Sequence, residues 1–240
     1  MNMKLNELTI KEATEGLKQK KFSSVELVRS CLDKIKEAEP QLNAFITVCE
    51  QEALEKAAEC DREIREIGGI GDIGERKPFL GIPLALKDLY CTRGIRTTAG
   101  SKVLQNYFPI YNATVVNKLK EAGAIIIGKT NCDAWAHGAS GENSDFGPTR
   151  NPFDLERTPG GSSSGSAVAV AANECLGAMG TDTGGSIRLP ASFCNVVGLK
   201  PTYGRVSRYG VVAMASSLDC MGHLTKTVED SAILLNVTAG

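Results

Sequence analysis

Histidine is nearly missing from this chain of 240 residues, which contains only His137 and His223. Chemistry that depends on several imidazoles, such as a histidine-rich zinc site, is therefore disfavoured. An excess of charge is also missing, because 27 Lys and Arg oppose 28 Asp and Glu and leave a net charge of -1. Nothing in this balance attracts nucleic acid, so any basic surface for RNA would have to come from another chain.

Long hydrophobic runs are missing as well, since the longest cover only 124–127 and 167–172. A bilayer span needs about 20 apolar residues, and the N-terminal residues lead into no signal-peptide core. We therefore expect a cytoplasmic chain that does not enter a membrane. The eight cysteines form no C-x-x-C pair, which favours buried, reduced thiols over disulfides or a metal site.

The first part of the sequence has helical patterns and no catalytic motif. Two capping boxes, Thr9-x-x-Glu12 and Ser23-x-x-Glu26, predict helix starts. The second of these helices is expected to end at Pro40, and a third to cover 51–67. A strand or loop at 42–48 and a surface loop at 71–77 complete this part. We predict two domains: an N-terminal helical arm at 1–70 and a catalytic core at 71–240.

The remainder alternates apolar runs with amphipathic segments, as α/β domains do. The run at 79–86 predicts a buried strand with Lys87 emerging at its carboxyl end, where such sheets place their sites. Further predictions fall into two groups. The expected strands are 124–127, 196–201 and 206–213. The expected helices are 113–122, the Ala/Val-rich run that includes 167–172, and one that begins at the Thr227-x-x-Asp230 cap.

Three short motifs match known sites but lack the context these sites need. The segment 123–130 fits the P-loop formula, yet its variable positions form the expected strand instead of a loop. The segment 161–165 fits the G-x-S-x-G elbow, with Asp219 and His223 following in the right order, but no strand precedes it. Asp182 opens an Asp-Thr-Gly triplet that has no second copy and only a weak strand at 177–181 before it.

With these three motifs set aside, the residues favour a serine hydrolase that works without histidine. Two Gly/Ser-rich loops, 158–166 and 180–188, bracket one helix and predict a single site. In Ser-Lys catalysis a desolvated, neutral amine replaces imidazole as the base. Lys87, at the end of an apolar strand, is the candidate base.

The same residues resemble the amidase-signature family of hydrolases. The likeness rests on GGSSSG at 160–165, on GTDTGGSIRLPA at 180–191 and on GIPLALKD at 81–88. It implies an α/β fold in which a mixed β-sheet core is covered by helices on both faces. It also implies a cis peptide between Gly161 and Ser162.

The resemblance further implies a role for each matching residue. Asp182 and Arg188 would brace the nucleophile loop, and the other serines near Ser162 would serve in the loop, in capping or in packing. The implied reactive residues are Ser186 as nucleophile, Ser162 as bridging serine, Lys87 as base, and the backbone amides of Thr183, Gly184, Gly185 and Ser186 as oxyanion hole.

Within the family the chain is most similar to the A subunits of tRNA-dependent amidotransferases, through 142–152, 198–210 and 216–219. This likeness implies a glutaminase that acts on glutamine and belongs to a hetero-oligomer with B and C subunits. The B subunit would bind the tRNA and use ATP with Mg²⁺, so this chain would hold no cofactor or metal. Such A subunits are about twice as long, which implies an N-terminal half. Relatives usually carry an acidic residue and a methionine within 131–137, and a proline where His223 stands.

Two alternatives stay open from the sequence. A free-standing amidase would use the same three residues without partners, and a non-catalytic scaffold would use none of them. The sequence also leaves open whether the complex would serve tRNA(Gln) or tRNA(Asn).

Overall fold

The structure of the chain, a computed structural model, describes residues 4–66 and 77–240. The predicted boundary between residues 70 and 71 and nearly all of the predicted loop at 71–77 lie outside these ranges. The helices are α1 (Ile10–Lys18), α2 (Ser24–Leu42), α3 (Glu50–Glu66), α4 (Thr114–Glu121), α5 (Ser164–Ala171), α6 (Arg188–Phe193) and α7 (Val228–Thr238). The strands are β1 (Phe45–Val48), β2 (Pro83–Lys87), β3 (Ile125–Thr130), β4 (Gly177–Asp182), β5 (Val197–Leu199) and β6 (Cys220–Thr225).

The strands form one six-stranded sheet in the order β1-β3-β2-β4-β6-β5. The inner strands β3, β2 and β4 are parallel to one another, and the outer pairings are antiparallel. This confirms the expected mixed sheet. Because the three parallel strands end at the same edge, Lys87, Thr130 and Asp182 close one rim of the sheet.

Helices cover both faces of the sheet, as predicted. On one face a side chain at Gly177 would meet Ile10 of α1 and Leu234 of α7. On the other face a side chain at Gly180 would meet Ser163, which precedes α5. Because neighbouring positions along a strand point to opposite faces, the two glycines let helices approach from both sides.

The helical arm follows its predicted caps but not its predicted end. The hydroxyl groups of Thr9 and Ser23 accept the amides of Glu12 and Glu26, which confirms both capping boxes. The expectation that Pro40 ends α2 is wrong, because the helix continues to Leu42. A proline in the last turn costs the helix only the one hydrogen bond that its missing N–H would donate. The helix ends where Asn43 adopts a left-handed backbone conformation.

Two strand predictions in the core need correction. The segment 177–181, which the sequence indicates only weakly as a strand, belongs to the buried strand β4. The segment 206–213 is not a strand and makes only isolated bridges, such as that between Val211 and Tyr90. Its residues lie past the end of β2, where Val212 N donates to Leu89 O. No neighbouring strand is therefore available there for a continuous ladder.

All eight cysteines are buried and free, which confirms the prediction of buried thiols. Among residues 4–66 and 77–240, every helix is too short or too polar to cross a lipid bilayer.

His223 is buried in β6, only 1% exposed. Its Nε2 lies 2.8 Å from the Ser231 hydroxyl of α7, and its Nδ1 has no hydrogen-bond partner in the described part of the chain. Burial lowers the pKa of His223 to about 4. The imidazole is therefore neutral in the folded protein near neutral pH.

This buried imidazole predicts a loss of stability on acidification. Between the unfolded pKa of about 6.5 and the folded value of about 4, the unfolded state binds more protons, so stability falls as pH falls through that window. We expect His223 to contribute on the order of 3 kcal/mol of this loss. Urea unfolding of the parent and of His223→Gln across that window measures it. His137→Gln changes the exposed histidine, and its free energy of unfolding should depend on pH as that of the parent does. If the free energies of unfolding of the parent and of His223→Gln fall equally with pH, the prediction is contradicted.

Candidate active site

Lys87 is fully buried at the carboxyl end of β2. Its Nζ lies within hydrogen-bond distance of three hydroxyl oxygens, at 2.7 Å from Ser162, 3.0 Å from Ser163 and 2.9 Å from Thr181. A neutral amine can donate to two of these oxygens and accept a hydrogen bond from the third. No ion pair of the described residues involves Lys87. The amine is thus held in place by neutral groups.

Burial lowers the pKa of Lys87 to about 8, against smaller opposing effects of nearby acidic groups. The strongest of these come from Cys132 and Asp133, which follow β3, and from Asp182 and Asp219. A charged lysine would need a carboxylate partner to offset its desolvation, and hydroxyl groups do not supply that charge. The neutral amine, which can accept a proton, therefore forms at a lower pH here than it does for a solvent-exposed lysine.

Ser162 is fully buried, and the Gly161–Ser162 peptide is cis, as the resemblance implied. Behind Gly161 lies Asp133, whose carboxylate would collide with any side chain at that position. The same carboxylate accepts the amide of Gly141 with both oxygens, at 3.0 Å each. Glycine is needed at 161 because Asp133 and the loop after β3 pack directly against its backbone.

Ser186 lies in the loop between β4 and α6 and is 7% exposed. Its carbonyl oxygen accepts the amide of Ser163 at 3.1 Å, which keeps the two Gly/Ser loops adjacent. Its own hydroxyl group forms no hydrogen bond within the described part of the chain. That hydroxyl is therefore available to a substrate.

Asp182 organises the loop that carries Ser186. Its carboxylate accepts the amides of Gly185 at 2.8 Å and Ile187 at 3.0 Å, and it pairs with Arg188 through Nε at 3.0 Å and Nη2 at 2.9 Å. Burial raises the pKa of Asp182, but the bonds from Arg188 and the loop amides outweigh it and leave the pKa below its ordinary value. The bracing contact predicted for Asp182 and Arg188 is present.

The amides predicted to form an oxyanion hole divide into two groups. Gly185 donates to Asp182, so its N–H is already used in this structure. The amides of Thr183, Gly184 and Ser186 have no acceptor among the described residues. Gly185 has φ of 130° with open space around it, so glycine is required there by the backbone conformation and not by crowding.

Thr183 is held by a second carboxylate, that of Asp219. The Thr183 hydroxyl donates to Asp219 at 2.6 Å. The other contacts of Asp219 are with the amides of Met214 at 3.0 Å and Ala215 at 3.1 Å. One carboxylate therefore ties the start of the nucleophile loop to the loop before β6.

Two partners of Lys87 were missed by the sequence analysis. Ser163, expected to serve the loop or packing, accepts from Lys87 and from Thr181 N at 3.2 Å and donates to Thr181 O at 3.1 Å. The hydroxyl of Thr181 receives the third bond from Lys87. The available signal was the threonine one residue before the end of β4, the strand next to the one that carries Lys87.

The three rejected motifs have structural explanations. Lys129 of the P-loop match lies within β3, residues 157–160 form no strand before the elbow match, and Asp182 serves the loop described above. Within residues 4–66 and 77–240, no three His, Cys, Asp or Glu side chains converge on a possible metal site.

A family model described as Amidase matches residues 26–240. The chain belongs to the amidase family. The A subunit of the glutamyl-tRNA(Gln) amidotransferase of Desulfatibacillum aliphaticivorans is 58% identical over 238 residues, which are 99% of this chain and 48% of that protein. Its counterpart from Carboxydothermus hydrogenoformans is 56% identical, with 99% of this chain and 48% of that protein covered.

Solved structures of amidases have the same fold. The A subunit of the Thermotoga maritima glutamyl-tRNA(Gln) amidotransferase matches with a TM-score of 0.84 and 47% identity, covering 100% of this chain and 48% of that one. The native peptide amidase of Stenotrophomonas maltophilia matches with a TM-score of 0.90 and 40% identity, covering 97% of this chain and 48% of that one. The chain thus spans about half the length of these relatives.

Proposed function

We propose that this chain carries the amide-hydrolysing site of a glutaminase subunit, with Ser186, Ser162 and Lys87 as its catalytic residues. The observation that supports this best is the buried amine of Lys87, which lies 2.7 Å from the Ser162 hydroxyl and has no carboxylate partner among the described residues. A neutral lysine can draw a proton through one serine from another.

The proposed reaction begins when Ser186 Oγ bonds to the side-chain amide carbon of glutamine. The proton of Ser186 moves to Ser162 as the proton of Ser162 moves to Lys87 Nζ. The amides of Thr183, Gly184 and Ser186 would hold the oxyanion, and each such donor is worth about 2.7 to 4 kcal/mol in the transition state.

The carbon–nitrogen bond then breaks. The leaving nitrogen takes a proton back through Ser162, and ammonia departs. Water attacks the ester on Ser186 by the same relay, releasing glutamate and restoring the serine hydroxyl.

The relatives support a place for this chain in an amidotransferase. We propose that the ammonia is used by a B subunit, which binds Glu-tRNA(Gln) or Asp-tRNA(Asn) and uses ATP with Mg²⁺, and that a C subunit joins the complex in the cytoplasm. The net charge of -1 fits a chain that leaves tRNA binding to its partner. The A subunits that are 56–58% identical over 99% of the chain support this role.

Ser186→Ala tests the assignment in the assembled complex. The variant loses the attacking oxygen, so we expect glutamine hydrolysis and glutamine-dependent amidation to disappear, while amidation with added ammonium salt continues. Ser192→Ala changes an exposed serine of α6 and should behave like the parent. Glutaminase activity in Ser186→Ala at the parent rate would contradict the proposal.

A free-standing amidase is the second candidate, and one observation favours it. The peptide amidase structure gives a TM-score of 0.90, against 0.84 for the structure from the tRNA amidotransferase. Hydrolysis of simple amides by a chain that co-purifies with neither a B nor a C partner would favour this function over the first.

A further inference from the structure

A second lysine is buried as completely as Lys87, and the proposed reaction gives it no role. Lys129 of β3 is 0% exposed. Its Nζ lies 3.1 Å from Asp88 Oδ1 and donates to Tyr90 O at 2.8 Å and to Thr97 Oγ1 at 2.7 Å. Unlike Lys87, this amine therefore has a carboxylate partner.

Strand register places the two lysines on opposite faces of the sheet. Lys87 is paired with Thr130, and Leu86 is paired with Lys129. Successive side chains of a strand alternate between faces, so Lys87 and Thr130 share one face and Lys129 lies on the other. The Thr130 hydroxyl lies 2.7 Å from that of Ser166 in α5, on the face where Lys87 meets its serines.

Asp88 connects Lys129 to the backbone that follows the base. It is the residue directly after Lys87, and its amide donates to Thr130 O at 3.0 Å. Its Oδ2 accepts the amide of Thr98 at 2.7 Å and the Thr98 hydroxyl at 2.5 Å. The turn after Lys87 is thus fastened to β3 and to the loop at 97–98.

The same cluster reaches a partner of Lys87 through Tyr90. Lys129 donates to the carbonyl oxygen of Tyr90, and the phenol of Tyr90 donates to Gly180 O at 2.7 Å. Gly180 precedes Thr181, which receives a hydrogen bond from Lys87 at 2.9 Å. A displacement of Lys129 would therefore shift the backbone that follows Lys87, through Asp88, and the Thr181 hydroxyl group that contacts Lys87 Nζ, through Tyr90.

We propose that Lys129 is a positioning residue for the amide-hydrolysing site and that Lys129 and Asp88 act as a charge-balanced pair. The pair fixes the carboxyl end of β2, and Lys129 cancels the charge of the carboxylate next to Lys87. Lys87 is then left with neutral hydroxyl partners. This inference rests on the proposed function, because it assigns Lys129 to the reaction of Ser186.

The test measures how fast a fluorophosphonate labels Ser186 as a function of pH, which requires an activated serine but not glutamine. In the parent, the rate should rise with pH as Lys87 loses its proton. Lys129→Met leaves the charge of Asp88 uncompensated and should move the midpoint up by about 1 pH unit. Asp88→Asn leaves the charge of Lys129 and should move it down.

The double variant Asp88→Asn/Lys129→Met separates charge from position. With both charges removed, the midpoint should return to the parent value, while the limiting rate stays about tenfold lower because the turn after Lys87 is no longer anchored. The other acidic groups near Lys87, which are Cys132, Asp133, Asp182 and Asp219, are unchanged in every variant. Lys56→Met removes an exposed lysine of α3 and should match the parent.

Thermal unfolding identifies variants that do not fold, and the double variant, which buries no unpaired charge, decides the question when a single variant fails. A double variant with the parent's midpoint and limiting rate would overturn the proposal, as would single variants whose midpoints do not move. A parent chain that the probe does not label at Ser186 would contradict the proposed function and this inference with it. Labelling without glutamine hydrolysis would count only against glutamine as the substrate.

Discussion

Replacing Lys87 by methionine is expected to lower the rate of glutamine hydrolysis about a thousandfold, within the range typical for loss of a general base. Methionine has a similar length and suits the buried site, but it accepts no proton from Ser162. The hydroxyl groups of Ser162, Ser163 and Thr181, which Lys87 now contacts, lose this partner in the variant, so thermal unfolding accompanies the kinetics. Steady-state kinetics on the assembled complex measure the change, which should appear in kcat more than in KM.

The pH dependence of the parent enzyme is expected to report the protonation of the same residue. In the proposed reaction Lys87 acts as the neutral amine, and burial lowers its pKa to about 8. The rate should therefore rise with pH and level off above that value, because deprotonation creates the base. The matched variant Lys56→Met should retain the parent profile. A Lys87→Met enzyme with the parent rate, or a parent rate that falls as pH rises through this range, would contradict the role of Lys87.

Asp182→Asn is expected to lower kcat about a hundredfold with a small effect on KM. Asparagine keeps one acceptor oxygen but directs an N–H₂ group at the donors that Asp182 now accepts, which are the amides of Gly185 and Ile187 and the guanidinium of Arg188. The loop that carries Ser186 then loses its fixed geometry, and small displacements of a nucleophile are costly. Kinetics together with thermal unfolding measure the effect.

A surface aspartate provides the control for that variant. Asp154→Asn weakens an exposed ion pair with Arg157, and such pairs contribute little, so activity should not change. If Asp182→Asn retains the parent kcat, Asp182 does not organise the nucleophile loop.

Local patterns were sufficient for several elements of this fold. The apolar run before Lys87 predicts β2, because a strand buried on both faces has no polar alternation, and the lysine emerges where that strand ends. The capping boxes at Thr9 and Ser23 predict two helix starts, because the side chains of each motif bond to backbone amides of the first turn that have no partner within the helix.

Other elements depend on neighbours that are distant in sequence. The glycines of β4 disfavour a strand locally, yet Gly177 and Gly180 give α1, α7 and Ser163 the room to pack. The segment 206–213 has strand-like residues but lies beyond the end of the sheet. The amide of Gly185 was expected at the oxyanion hole, and its bond to Asp182 depends on a loop geometry that composition does not specify.

The site itself was predictable in its residue types but not in all its contacts. The Gly/Ser loops and the lysine follow from motifs, whereas the bonds from Lys87 to Ser163 and Thr181 depend on how β2, β4 and α5 pack. The pairing of Lys129 with Asp88 depends on strand register in the same way.

Peptide mapping after reaction with a fluorophosphonate tests the central claim most directly. The probe bonds covalently to an activated serine, so the parent chain should carry one adduct, on the peptide that contains Ser186, and Lys87→Met should label far more slowly. Ser186→Ala should carry none. An adduct on Ser162 or Ser163, or no adduct on a folded parent chain, would contradict the assignment of Ser186 as the nucleophile.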